Sequence, residues 1–154
     1  MKTVKLLILA SALWAIGVSP AECQLTLIGG VSYTEAEGGQ WGIDGRLGLD
    51  SALLPIGFFG GADYFPSRCD VECGFWGWRL GLTLHPPSRT FQPFLSGAVL
   101  GREWTVPEGD LERTGMALGA GFRVDAGRWI LAEATWEFLG EGFDQGVFRI
   151  GLGL

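Results

Sequence analysis

Three absences limit the functions open to this chain of 154 residues. After the N-terminal segment, no run approaches the ~18 uninterrupted apolar residues that a membrane-spanning helix needs, so no such helix is expected. From Gln24 onwards there is no lysine, and nine arginines stand against sixteen acidic residues, a net charge of −7 that would repel nucleic acid. A single histidine and three cysteines offer few ligands for a transition metal. We therefore expect no nucleic-acid partner, no metal site and no cofactor.

The N-terminal segment has the pattern of a secretory signal peptide. Lys2 and Lys5 precede an apolar stretch over residues 6–18, and Ser19-Pro20-Ala21 offers small residues for cleavage. A membrane anchor is the alternative, but the stretch is short of the ~20 residues that span a bilayer. The sequence therefore predicts a signal peptide over residues 1–23 and one exported domain over residues 24–154.

What the chain does contain is apolar residues that alternate with polar residues or glycine. In the last such segment, residues 147–154, the large apolar side chains share one face, and Arg149, Gly151 and Gly153 share the other. A period of two is typical of a β-strand between two environments. Large residues on one face, with glycine and charge on the other, are typical of a barrel in lipid. We predict an all-β fold, an eight-stranded antiparallel up-and-down transmembrane β-barrel.

The eight predicted strands are near the ~9–11 residues that a tilted strand needs to cross a bilayer. They cover residues 25–33, 41–49, 56–64, 75–85, 91–104, 115–125, 128–139 and 147–154. Four connections, including residues 106–113, are polar and acidic, and they alternate with three others. With the N-terminus in the periplasm, the acidic connections are predicted to lie outside the cell.

Aromatic residues on the apolar face recur at one end of strands that run in opposite directions. The preference of aromatic residues for strands does not explain this shared end. Aromatic girdles at a bilayer interface do explain it. The predicted girdle consists of Tyr33, Trp41, Tyr64, Trp76, Trp136 and Phe148.

The opposite face carries charges of both signs among its glycines. An eight-stranded barrel is just wide enough for side chains to fill it, and charges buried together need partners. We therefore predict a plugged lumen in which an arginine pairs with Glu133 or Glu137, and we favour ion pairing over an acid–base role for these glutamates. The predicted ion-pair network consists of Asp44, Arg46, Asp63, Arg79, Arg102, Arg123, Glu133, Glu137 and Arg149, and the same face holds Asp50 and Asp125.

Taken together, the pattern resembles the small eight-stranded outer-membrane β-barrel family, the type of the OmpA membrane domain. The resemblance rests on the strand count, the alternation, the segment Pro93-Phe94-Leu95-Ser96-Gly97-Ala98 and the apolar last strand. That strand resembles the signal read by the barrel-insertion machinery. The resemblance implies a monomer in the outer membrane of a Gram-negative-type bacterium, in contact with lipid and lipopolysaccharide. Members of the family differ widely in function.

Three functions remain open on the sequence. The favoured one is a non-enzymatic barrel with a structural or surface-interaction role. A lipid A-modifying enzyme would rely on His85 and Ser88, but His85 is expected at the periplasmic end and no Gly-x-Ser-x-Gly elbow occurs. A soluble lipocalin-like ligand-binding barrel would need a large apolar interior, whereas the inward positions are mostly charged or glycine.

The acidic loops carry two further expectations. Cys69 and Cys73 flank Asp70-Val71-Glu72, and because an exported chain permits disulfides we predict a bridge between them. A zinc pair is disfavoured because two thiols without a nearby histidine are too few ligands. The loops are expected to form a solvated surface facing lipopolysaccharide, with divalent cation binding as an open alternative.

Overall fold

A computed structural model describes residues 23–35, 39–51, 54–66, 74–86, 90–106, 109–140 and 142–153. The strands are β1 Cys23–Thr34, β2 Gln40–Ser51, β3 Ile56–Phe65, β4 Phe75–Leu84, β5 Phe91–Val106, β6 Gly109–Asp125, β7 Trp129–Phe138 and β8 Gln145–Gly153. Within these ranges no helix is long and apolar enough to cross a membrane. Apart from Cys23, where β1 begins, the predicted signal peptide lies outside the described residues.

Each strand pairs with its neighbours in the chain, and β1 pairs with β8 to close an antiparallel barrel. The closing register runs from Ile28 opposite Gly153 to Thr34 opposite Val147. The predicted eight-stranded up-and-down barrel is therefore confirmed. We call the end with the β1–β2, β3–β4, β5–β6 and β7–β8 connections the upper end, and the opposite end the lower end.

The alternation in the sequence becomes two contrasting surfaces. In β4 the burial alternates strictly along most of the strand, with Trp76, Trp78 and Leu80 exposed and Arg79 buried. On other strands Ile43 is 65% exposed, Met116 65% and Leu118 63%, which is far more than large apolar side chains show in a soluble core. An apolar surface that covers the outside of a closed barrel marks an interaction with lipid or another apolar partner.

The β5–β6 hairpin is longer than the sequence predicts. Residues 106–113 were expected to form a loop, but the pairing continues to Val106 opposite Gly109. The reason is an apolar contact inside the hairpin, because Trp104 lies opposite Leu111 and Leu111 packs against the buried apolar cluster that contains Trp104. The outward positions there are polar, including Glu103 opposite Glu112.

One charge predicted to face the lumen does not do so. Asp125 is exposed at the lower end of β6, so its placement with the interior charges was wrong. Its carboxylate Oδ1 accepts a hydrogen bond of 3.0 Å from the backbone N–H of Gly127, whose φ of +83° suits glycine. Asp125 therefore stabilises the β6–β7 turn, a local role that its place in the alternation conceals.

Candidate functional site: the ion-pair network of the lumen

Most of the charged side chains inside the barrel lie in three layers, while Arg113 lies apart from them with its guanidinium 5.2 Å from the centre of the Phe143 ring. The upper layer contains Asp63, Arg102, Glu137 and Arg149. The middle layer contains Asp44, Arg46, Arg79 and Glu133. The lower layer contains Asp50 and Arg123, with His85 beside them.

In the upper layer two arginines share two carboxylates. Arg102 donates from Nε to Glu137 Oε2 at 3.0 Å and from Nη2 to Oε1 at 2.5 Å, and its Nη1 contacts Asp63. Arg149 Nη2 lies 2.9 Å from Glu137 Oε1 and 3.1 Å from Asp63 Oδ2. Because each carboxylate accepts from both guanidinium groups, the loss of any one member leaves a buried charge incompletely paired.

Uncharged polar side chains form further hydrogen bonds with Glu137 and Arg149 in the upper layer. Gln145 donates to Glu137 Oε2 at 2.8 Å and accepts a bond of 3.0 Å from the Thr34 hydroxyl. Arg149 Nη1 donates to the Thr135 hydroxyl at 2.6 Å. The network thus links β1, β7 and β8 through side chains as well as through the backbone.

In the middle layer two arginines form ion pairs with the carboxylate of Glu133. It lies 3.2 Å from Arg46 Nη1 and 3.6 Å from Arg79 Nη1, and the Ser96 hydroxyl donates to it at 2.7 Å. Arg79 also donates to Asp44 at 3.2 Å. The guanidinium of Arg46 lies 3.8 Å from the centre of the Phe59 ring, a cation–π contact that compensates part of its desolvation.

The lower layer is built around Asp50. Arg123 donates through both terminal nitrogens to this carboxylate, with Nη2 2.9 Å from Oδ1. His85 Nε2 lies 3.5 Å from the same Oδ1, while Gln92 Nε2 lies 2.8 Å from His85 Nδ1. His85 is thus a buried member of a polar cluster at the lower end. Ser88, its partner in the enzyme hypothesis, lies outside the described residues.

The three layers balance in charge. With Asp125 outside, these layers hold five arginines and five carboxylates, and within each layer arginines and carboxylates are equal in number. Buried charges are tolerated where they are paired and hydrogen-bonded. All nine residues of the predicted network belong to these layers, which also include Asp50.

Glycines on the inward face make room for the long arginines. A Cβ atom on Gly61 would lie 2.9 Å from Arg79 Nε, and one on Gly77 would lie 2.9 Å from Asp63 Oδ1 and collide with Arg102. Real Cβ atoms do not approach other heavy atoms so closely. The absence of a side chain at these two positions is therefore a packing requirement of the network.

The interior is not polar throughout, contrary to the expectation that it is mostly charge and glycine. A buried apolar cluster lies at the upper end, with Phe65 and Phe75 stacked at 4.5 Å between ring centres. Trp104 packs against Phe75 at 5.6 Å and against Phe143 at 5.2 Å. A second, smaller cluster of Ile28, Phe94 and Leu131 lies elsewhere in the interior.

The six residues of the predicted girdle share the outward face near the upper end. Tyr33 lies opposite both Trp41 and Phe148, and Tyr64 lies opposite Trp76. The rings of Tyr33 and Trp41 are 5.2 Å apart. Cys69 and Cys73 lie outside the described residues. In the part of the chain that the structure describes, no group of three or more His, Cys, Asp or Glu side chains is arranged to hold a metal ion.

Comparison with known proteins supports the fold. No family model and no curated protein sequence matches this chain. Among solved structures, the N-terminal β-barrel domain of Pseudomonas aeruginosa OprF is similar with a TM-score of 0.64 at 12% identity, over 86% of this chain and 100% of that one. Neisserial surface protein A is similar with a TM-score of 0.62 at 8% identity, over 85% of this chain and 96% of that one.

The attachment invasion locus protein Ail of Yersinia pestis is also similar. Its TM-score is 0.59 at 14% identity, over 86% of this chain and 97% of that one. At identities this low, the structural similarity establishes a shared fold and nothing beyond it. The predicted resemblance to small eight-stranded outer-membrane barrels is thus confirmed at the level of the fold.

Proposed function

We propose that this protein is a non-enzymatic integral outer-membrane barrel with a plugged lumen and a structural or surface-interaction role. The observation that carries the proposal is the pairing of an apolar exterior with three charge-balanced layers inside. An exterior of this kind is stable in lipid. A soluble lipocalin-like barrel would place its apolar side chains in the interior instead.

The proposed plug is supported by the way in which the layers cross the lumen. Arg46 on β2 reaches Glu133 on β7, and Arg102 on β5 reaches both Asp63 on β3 and Glu137 on β7. Such contacts span the barrel between strands that are not neighbours. We expect purified protein in planar bilayers to give no stable conductance steps, and regular steps of one size would contradict the plug.

Two observations bear on a surface role, namely a ligand-bound structure of one fold neighbour and the acidic side chains at the upper end of this barrel. One solved structure of Ail holds the heparin analogue sucrose octasulfate. The upper end of this chain is acidic, and its negative charge would repel a polyanion. The acidic residues described there are Glu35, Glu103, Asp110, Glu112 and Asp144. We infer that any surface partner of this protein is cationic or is bridged by cations.

Cell fractionation combined with surface proteolysis tests location and topology together. The protein should appear in the outer-membrane fraction and require detergent for extraction. Protease added to intact cells should cleave at the upper end. Recovery of folded, monodisperse protein from the soluble periplasm would overturn the proposal. Assembly by the barrel-insertion machinery, a monomeric state and contact with lipopolysaccharide are further parts of the proposal.

A further inference from the structure

The upper part of β6 has a neighbouring strand on one side only. Its pairing with β5 continues to the start of the strand at Gly109, whereas its pairing with β7 stops at Met116. In the part of the chain that the structure describes, no strand pairs with Asp110, Glu112 or Thr114 on the β7 side. We call these three residues the open edge. A strand edge of this kind is a template for one further strand.

Alternate residues of β6 direct their backbone groups to opposite sides. At the lower end, the N–H of Asp125 donates to Thr90 on the β5 side at 2.9 Å, and that of Ala126 donates to Arg128 on the β7 side at 3.2 Å. Both registers run along β6 without interruption, so the odd-numbered residues bond to β5 and the even-numbered residues face the β7 side. The N–H and C=O groups of the open edge therefore point away from β5, and its side chains are exposed.

Asp144 holds the end of β7 away from this edge. Its Oδ1 accepts hydrogen bonds of 2.8 Å from the backbone N–H groups of Leu139 and Gly140, and the Gly140 carbonyl accepts one of 3.0 Å from the N–H of Phe143. In a longer β7 the register would place Gly140 opposite Thr114, but its φ of +74° and these bonds turn it into the β7–β8 connection. The open edge thus keeps its hydrogen-bonding capacity for a strand from outside the barrel.

The two faces beside the open edge differ in character. Glu112 lies opposite Glu103 on the outer face, and like charges directly opposite each other are unfavourable. Asp110 adds a further negative charge, so a second copy of this edge or an acidic strand would increase the repulsion, whereas basic side chains would relieve it. On the inner face, Leu111 and Phe143 pack against the buried apolar cluster of the upper end. That face suits apolar side chains.

We propose that the open edge binds an extended cationic segment of a partner protein as one further antiparallel strand. Its basic side chains lie beside Asp110 and Glu112, and the side chains that alternate with them are apolar. The inference rests on the proposed function, which makes the upper end the cell surface. In such strand addition, backbone hydrogen bonds give affinity and alternate side chains give specificity. Antiparallel pairing is the arrangement of all neighbouring strands in the barrel.

A blocked peptide of about seven residues, in which lysine alternates with valine, tests the proposal against the folded protein in a non-ionic detergent. The lysines should lie opposite the open edge, and directly opposed residues exchange both hydrogen bonds there, so the valine N–H groups face away. We expect fluorescence anisotropy to show saturable binding that N-methylation of the lysines abolishes and N-methylation of the valines does not. No binding, or equal binding of the two methylated peptides, would overturn the proposal.

Two variants with matched controls separate the backbone from the charge. Thr114→Pro removes an N–H group from the open edge, while the bonds of β6 to β5 remain, and it should weaken binding about tenfold. Thr114→Ala keeps that N–H and should bind normally. Glu112→Gln should weaken binding about two- to fivefold, the range of one exposed ion pair. Glu35→Gln makes the same change of charge beyond the end of β1 and should have no effect.

Equal binding by each variant and its control would overturn the proposal. The comparison of Glu112→Gln with Glu35→Gln stands even if Thr114→Pro does not fold, because both glutamates are exposed. Binding by the purified protein without capture of the peptide by intact cells that carry it would contradict the outward topology in the proposed function and leave the edge assignment standing. Location in the outer membrane with no peptide binding would overturn the edge assignment alone.

Discussion

Arg149 on β8 lies opposite Glu133 on β7 in the strand register, yet its Nη2 contacts Glu137 at 2.9 Å. Glu133 instead accepts from Arg46, which reaches it from β2 on another part of the wall. The ion pairs of the lumen therefore run along and across the barrel rather than between directly opposed residues. This arrangement ties the wall together through its interior.

Removal of Glu133 should be strongly destabilising. Glu133→Ala would leave Arg46 without its carboxylate and Arg79 with Asp44 alone, inside a site where Glu133 is 1% exposed. The loss of one partner from a buried pair costs roughly 3–5 kcal/mol, and less if water reaches the site. Unfolding in detergent should show this loss, whereas Glu112→Ala on the exposed hairpin should change the free energy of unfolding by under about 0.5 kcal/mol. Equal, small effects would refute the ion pairing.

Charge balance within a layer predicts coupling between Arg149 and Glu137. Either single leucine substitution leaves three charges in the upper layer, whereas the double substitution leaves Arg102 paired with Asp63. The double variant should therefore lose less unfolding free energy than the two single losses combined, by about 0.5–3 kcal/mol. A double-mutant cycle measures this difference. Strict additivity would mean that the two residues act independently.

Substitutions at Gly77 and Gly45 form a matched pair that tests whether the inward glycines are needed to make room for the arginines. Gly77→Ala would place a methyl group against Arg102 and Asp63, while Gly45→Ala points outward and has no heavy atom within 4 Å of the new Cβ. We expect a cost of about 1–3 kcal/mol for the first substitution, as for other overpacked sites. For the second we expect a change within about 0.5 kcal/mol. A cost at Gly45 as large as that at Gly77 would contradict the inward assignment.

The disulfide between Cys69 and Cys73 stays a prediction. Thiol labelling of unfolded, unreduced protein should leave both cysteines unmodified, and labelling after reduction should modify them. Because the bridge closes a very short loop, its loss should cost little stability on the chain-entropy view. Full labelling at both positions before reduction would exclude the bridge.

The sequence predicts the barrel well because alternation is local. The two faces of a strand follow from neighbouring residues, so the girdle position of Trp76 and the inward position of Arg79 are readable without a structure. If the same alternation is continued by two residues, it predicts that Phe65 faces inward beyond Asp63 and that Trp104 faces inward beyond Arg102, as the structure shows. It failed at Asp125, where a turn takes over from the strand.

The partners of the charges are not readable from the sequence in the same way. They depend on the register of all eight strands and on the reach of each arginine, as the contact of Arg149 with Glu137 illustrates. The contact between Glu35 and Gly146 is equally hidden, because the two residues meet only when β8 closes the barrel on β1.

Site-directed spin labelling along β6 tests the central claim most directly, namely that the apolar face lies in lipid and the charged face in the lumen. Single cysteines would replace Met116, Leu118 and Ala120 on the outward face of β6 and Asp110 at its upper end, in a background without the native cysteines, in phospholipid vesicles. Labels at Met116, Leu118 and Ala120 should be accessible to oxygen and shielded from a water-soluble relaxing agent, and a label at the exposed Asp110 should be accessible to the water-soluble agent. Access of the water-soluble agent to Met116, Leu118 and Ala120 would contradict the account.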